Sequence, residues 1–167
     1  MLGDTFDLSI GLSPVDLSTA ANTGKRVSMS EVSGATIVLV KAAGTAAQDP
    51  VLTLKQHTAA SAGVTSDLAV ITEYWVKGEA TLDGDEVWTR VTQAAAATIT
   101  DPGAGGVSAE TEMLVAIKVS AAQLTAGNTH ISLDIADVGA AAQLGAVLYI
   151  LDVNDRLAPA DFPAPLR

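Results

Sequence analysis

The sequence predicts an all-β fold: an antiparallel β-sandwich or jelly-roll-like single domain with extended N- and C-terminal arms. Three observations carry this expectation. Apolar and polar residues alternate with a period of two along most of the chain, and clusters of Gly, Asp, Asn, Ser and Pro interrupt the alternation at short intervals. No stretch keeps the 3.6-residue apolar period of a long amphipathic helix. Together they mark about eight or nine strands of roughly 6–12 residues. The chain has 167 residues, a length that suits one domain. The sandwich is expected over residues 25–153, between an N-terminal arm with an edge strand (1–24) and an extended, Pro-rich tail (154–167).

In the arm, Phe6, Leu8 and Ile10 alternate, so a strand is expected over Thr5–Leu12 until Pro14 interrupts it. Asn22-Thr23-Gly24 reads as a turn. Arg26–Val32 alternates, Ser33-Gly34 reads as a break, and the run from Ala35 to Val40 is apolar on both faces. Such a β-branched run predicts a strand buried on both sides. Val51–Thr58 follows, with Leu52 and Leu54 on one face and Thr53, Lys55 and His57 on the other.

Leu68–Gln93 reads as a β-hairpin around Asp83-Gly84, a dipeptide that tolerates the positive φ of a tight turn. A two-residue loop places Val76 opposite Val91 and Ala80 opposite Val87. Tyr74, Val76, Val87 and Val91 then form the core face, and Trp75, Lys77, Glu79, Trp88 and Arg90 the other. That register also sets Lys77 opposite Arg90, an unfavourable like-charge pair, so other loop lengths stay open. After Gln93, AAAATITD continues the strand with a bulge, and Asp101–Ser108 is a glycine-rich loop. Thr111–Ser120 is a strand, Ala121–Asn128 one helical turn closed by Gly127, and His130–Val138 a strand with Ile131, Leu133 and Ile135 inward. Ala146–Val153 is expected as a final buried strand.

Composition narrows the function classes. Nineteen acidic against nine basic residues give a net charge of −10, which disfavours nucleic acid as a direct partner. No apolar run reaches the 18 or so residues of a membrane span, and the first residues lack the pattern of a secretory signal. Cysteine is absent, which removes disulfides and thiol nucleophiles. No enzyme activity, cofactor or metal is expected. His57 and His130 are the only histidines, and both fall at outward positions, solvated or at an interface. Asp83, Asp85 and Glu86 at the hairpin tip lack the spacing of a calcium loop. Asp152, Asn154 and Asp155 resemble a calcium-linker motif, but no further acidic set accompanies them. Gly24-Lys25 is followed by Arg26 and lacks the earlier glycine of a phosphate loop. Trp75 and Trp88 leave two readings open: a second packed face inside the domain, or an interface anchor, tryptophan being enriched at binding hot spots.

Several stretches together resemble small structural proteins encoded among the head genes of tailed bacteriophages and prophages. They are LSPVDLSTAANTGKRVSM, KAAGTAAQDPVLTLKQ, ITEYWVK, VTQAAAATIT, SAETEMLVAIKVSAAQL and ADVGAAAQLGAVLYILD. The resemblance implies a virion protein of the capsid decoration or head-stabilising type, assembled in the bacterial host cytoplasm. It implies binding to the outer surface of a major capsid protein lattice, and a homo-oligomer, most often a trimer. Trp75, Trp88, Phe6, Leu8 and Ile10 are the expected interface residues. Two other expectations stay beside it: a tail or head–tail connector protein, and a carbohydrate-binding β-sandwich.

Overall fold

β-branched and alternating runs become strands throughout a computed structural model that describes residues 5–153. Among the described residues the strands are β1 (Phe6–Asp16), β2 (Val27–Ser28), β3 (Val32–Lys41), β4 (Leu52–His57), β5 (Thr65–Asp67) and β6 (Ile71–Glu79). They continue as β7 (Thr89–Ala96), β8 (Thr98–Ile99), β9 (Glu112–Ser120), β10 (His130–Ile135) and β11 (Leu144–Val153). They build two antiparallel sheets. The larger runs β1-β11-β3-β9-β6-β7. The smaller runs β2-β10-β4, with β5 and β8 side by side along the far edge of β4. The sheets pack as a sandwich: Ile37, Leu39, Val115, Ile117 and Val147 of the larger meet Leu52, Leu54, Ile131 and Leu133 of the smaller in one buried core. Each such side chain contributes roughly 1.5–3 kcal/mol by leaving water.

Several local expectations change once the strands pair. Pro14 does not end the first strand: β1 continues to Asp16 because its ladder with β11 shifts register between Ile10 and Leu12 and again between Leu12 and Val15. Pro14 falls inside the second irregularity, where no ladder donor is required. The expected strand Arg26–Val32 shrinks to Val27–Ser28, and β3 runs straight through Ser33-Gly34. Gly34 serves close approach rather than a turn, since a Cβ there would lie 2.8 Å from the Val119 carbonyl oxygen. The turn after β9 is a short 3-10 segment, Ala121–Gln123, closed by a capping box between Ser120 and Gln123. The chain leaves the larger sheet after Ala96 and enters the smaller at Thr98.

The hairpin register also differs. Residues 80–88 form the loop, and Val76 pairs with Thr89, Tyr74 with Val91 and Trp75 with Arg90. A shift of two residues keeps the side chains that still pair on their expected faces, because the period of a strand is two. It also removes the Lys77–Arg90 clash: Arg90 now forms an ion pair with Glu73. Tyr74 and Val76 are buried, but Val87 lies in the loop and is 77% exposed, not in the core.

One buried hydroxyl joins three parts of the fold. Tyr149 on β11 is fully buried. Its hydroxyl donates to the Lys25 carbonyl at 3.0 Å and accepts from the Leu133 N–H at 3.1 Å. The ring passes under β1 at Gly11, where a Cβ would come within 2.6 Å of it. Tyr149→Phe keeps the ring but leaves both backbone groups short of a partner. We expect a loss of about 1–3 kcal/mol in urea denaturation, with the slope of the transition unchanged.

Candidate interaction face

The two sheets treat their outer faces differently. On the smaller sheet, the segment before β2 runs along the free edge of β10, and the Arg26 side chain reaches from it to the loop after β4. The Gly24 N–H donates to Asp134 at 3.0 Å, Asn22 bridges Ile135, and Arg26 donates to the carbonyls of Ala59 at 2.9 Å and Ala62 at 2.6 Å. His57, expected at a solvated or interface position, is buried. Its Nδ1 meets Thr65 Oγ1 and its Nε2 meets Ser132 Oγ, each at 2.9 Å. Burial, helped by the nearby positive charges of Arg26, His130 and Lys55, lowers its pKa to about 4. His130 is half-buried and contacts Thr129 Oγ1.

Ser132 also donates to Asp134 at 3.3 Å, so a serine, a histidine and an aspartate meet here. The order is wrong for a nucleophilic triad, which needs the carboxylate to orient the histidine. Here Thr65 holds Nδ1, Asp134 touches the serine, and Ser132 is fully buried. Other polar clusters have structural work too. Glu79, Asp85 and Glu86 bring carboxylate oxygens within 4.8 Å of one another. Asp83 contributes through its backbone instead: its N–H and that of Gly84 donate to Glu86, and the Gly84 bond leads in holding that carboxyl below its usual pKa. In the second acidic stretch, Asp152 lies 3.9 Å from Lys118, while Asn154 and Asp155 lie outside the described residues. Lys41 is a buried charge that the sequence reading passed over, although its inward place two residues after Leu39 marks it. Its Nζ donates to the Thr111 carbonyl at 2.6 Å, and burial lowers its pKa to about 8.

The larger sheet is not closed in this way among the described residues. β3 was expected to be buried on both sides and β11 to be a buried strand, yet only one side of each is. Ile37, Leu39, Val147 and Tyr149 are buried, while Val40, Leu144 and Leu148 on the opposite side are exposed. Pairing extends this apolar surface sideways. Ile10, Leu148, Val38, Ala116 and Trp75 form one row across five strands. Leu8 lies beside Ile150 in the next row, and Val40 beside Leu114 on the other side. Leu8 is 50% exposed and Ile10 47%.

All five expected interface residues belong to this face. Phe6 follows Leu8 and Ile10 at its corner, Trp75 closes the central row, and Trp88 in the 80–88 loop reaches it through Lys77. The Lys77 amine lies 5.5 Å from the Trp88 ring centroid, a cation–π contact worth about 0.5–1 kcal/mol at an exposed site. The tryptophans are 42% and 43% exposed, so neither packs against a second layer of its own domain. A contiguous apolar face of this kind marks an interaction surface in soluble proteins.

His57 gives a pH dependence with a definite sign. Its folded pKa lies below its unfolded value of 6.5, so its contribution is complete above pH 6.5 and is lost as pH falls toward 4. The loss is on the order of 3 kcal/mol. Urea titrations at pH 7 and pH 4 are expected to show a smaller difference for His57→Gln than for the wild type.

No protein-family model, curated protein or solved structure matches this chain.

Proposed function

We propose that this chain is a virion structural protein, a decoration (cement) protein that binds and stabilises the major capsid protein lattice of a tailed-phage head. The observation that carries the reading is the uncovered outer face of the larger sheet. Two adjacent central strands, β3 and β11, are apolar on both sides, and only one side meets the protein's own core. A protein partner on the other side would complete the burial their sequence is built for. The resemblance of the chain to phage head proteins supplies the kind of partner. Many copies on a repeating shell turn modest single contacts into firm attachment through multivalency. The charge of −10 suits a subunit held outside the shell, away from packaged DNA.

Shells lacking the protein are expected to take up the purified chain saturably, with electron microscopy showing density distributed over the whole head. Leu148→Glu, in the middle of the face, is expected to weaken uptake at least tenfold while the melting temperature stays within a few degrees. A ring of density at one vertex would instead identify a connector protein. Uptake indifferent to the substitution would overturn the assignment of the face.

A second reading, carbohydrate binding, has one observation in its favour. Trp75 forms a wall of an open groove of about 440 Å3 with Thr72, Glu73, Lys118, Ser120 and Gln123. An aromatic ring flanked by hydrogen-bonding side chains can stack on a sugar and hold its hydroxyls. A glycan array comparing wild type with Trp75→Ala tests it: binding that disappears with the ring supports this reading, and no binding by the wild type ends it.

A further inference from the structure

We infer that the outer face of the larger sheet pairs with the same face of a second copy of this chain, about a two-fold axis passing near Val38. This rests on the reading of that face as an attachment surface: a second copy covers it in free solution, and the shell takes that copy's place on uptake. The first ground is the order of sizes along the central row. Ile10, Leu148, Val38, Ala116 and Trp75 stand in line, and a two-fold rotation about Val38 lays the row against its own reverse. Leu148 of each copy then meets Ala116 of the other, Ile10 meets Trp75, and Val38 meets Val38. Large residues face small ones near the centre, the arrangement that lets two packed layers interdigitate. Two sheets in contact keep their strands within about 30° and lie about 10 Å apart, so the row needs no distortion to meet itself.

Charge is the second ground. The chain carries −10, so two copies repel across most of their surfaces. Nearest the row the charges are already matched within one copy, while Glu79 and Glu112, opposite each other on β6 and β9, lie toward one end of the face. Arg90 pairs with Glu73, Lys118 lies 3.9 Å from Asp152, and Lys77 rests over Trp88. Face-to-face contact centred on the row therefore buries compensated charges first and leaves the Glu79–Glu112 pair toward its margin.

The third ground is size. Six strands spaced about 4.8 Å, each presenting roughly 20 Å of length, offer on the order of 500 Å2 per copy. Two copies reach about 1,000 Å2, where specific interfaces begin. The pairing is therefore reversible, and a two-fold pair rather than a trimer is the unit in free solution.

Sedimentation equilibrium of the full chain tests this without any shell present. The wild type is expected to dimerise with a dissociation constant in the micromolar range, about 1–100 µM. Leu148→Glu and Ala116→Lys are each expected to weaken the dimer at least tenfold, and mixing the two variants to restore it. The new carboxylate and the new ammonium face each other only in the predicted register. Far-ultraviolet circular dichroism checks that each variant is folded, and Val40→Glu at the margin of the row serves if either central variant is not. A wild-type chain that stays monomeric at about 0.1 mM, or a dimer that survives both substitutions, overturns the pairing. Failure of the mixed variants to associate overturns the register. A monomer whose uptake by shells still depends on Leu148 sinks the pairing and leaves shell attachment standing. A dimer that ignores shells does the reverse.

Discussion

The structure depends on a mismatch in its middle. β3 and β11 are neighbours near the centre of the larger sheet, and both are apolar on two sides. The smaller sheet satisfies one side with a core of Leu, Ile and Val. On the other side, Val40, Leu144 and Leu148 are left exposed. A strand that met water permanently on that side would gain nothing from apolar residues there, since a half-solvated antiparallel sheet ordinarily alternates. The pattern makes physical sense when another surface removes that side from water.

The smaller sheet shows what coverage looks like in the same molecule. The segment containing Asn22, Gly24 and Arg26 edges β10, Arg26 binds the loop after β4 and Thr65, and His57 and Ser132 are buried beside them. Gly24 is required there, because a Cβ would come within 2.2 Å of the Leu133 carbonyl oxygen. Tyr149 ties this segment to the larger sheet through Lys25 and to the smaller through Leu133. The centre of that side is thus closed by the chain's own polar groups. The asymmetry between the two faces reflects how the chain is routed, not a general shortage of apolar residues.

Three polar groups of a kind that can carry chemistry have structural partners that account for them. His57 is held between two hydroxyls, Lys41 caps carbonyls at the end of β3, and Glu86 closes its own loop. A hydrogen bond lost from a buried group costs about 1–3 kcal/mol, which is reason enough for these residues to be where they are. The apolar row from Ile10 to Trp75 is the feature whose residue types are not explained by the chain's own packing.

The sequence by itself determined the strands and the faces of most of them. Alternation is a local property, so Ile131, Leu133 and Ile135 could be assigned inward and Trp75 outward without knowing any partner strand. It likewise marked Trp75, Trp88, Phe6, Leu8 and Ile10, although from separate segments. Only the tertiary structure placed them on one surface, because strand order is set by long-range pairing: β1 joins β11, and β9 lies between β3 and β6. The same non-local pairing carried β3 through Ser33-Gly34 and set His57 against the distant Ser132. Above all it decided which side of β3 and β11 is covered. A run apolar on both sides states that both should be buried, but what lies across each side depends on the path of the rest of the chain.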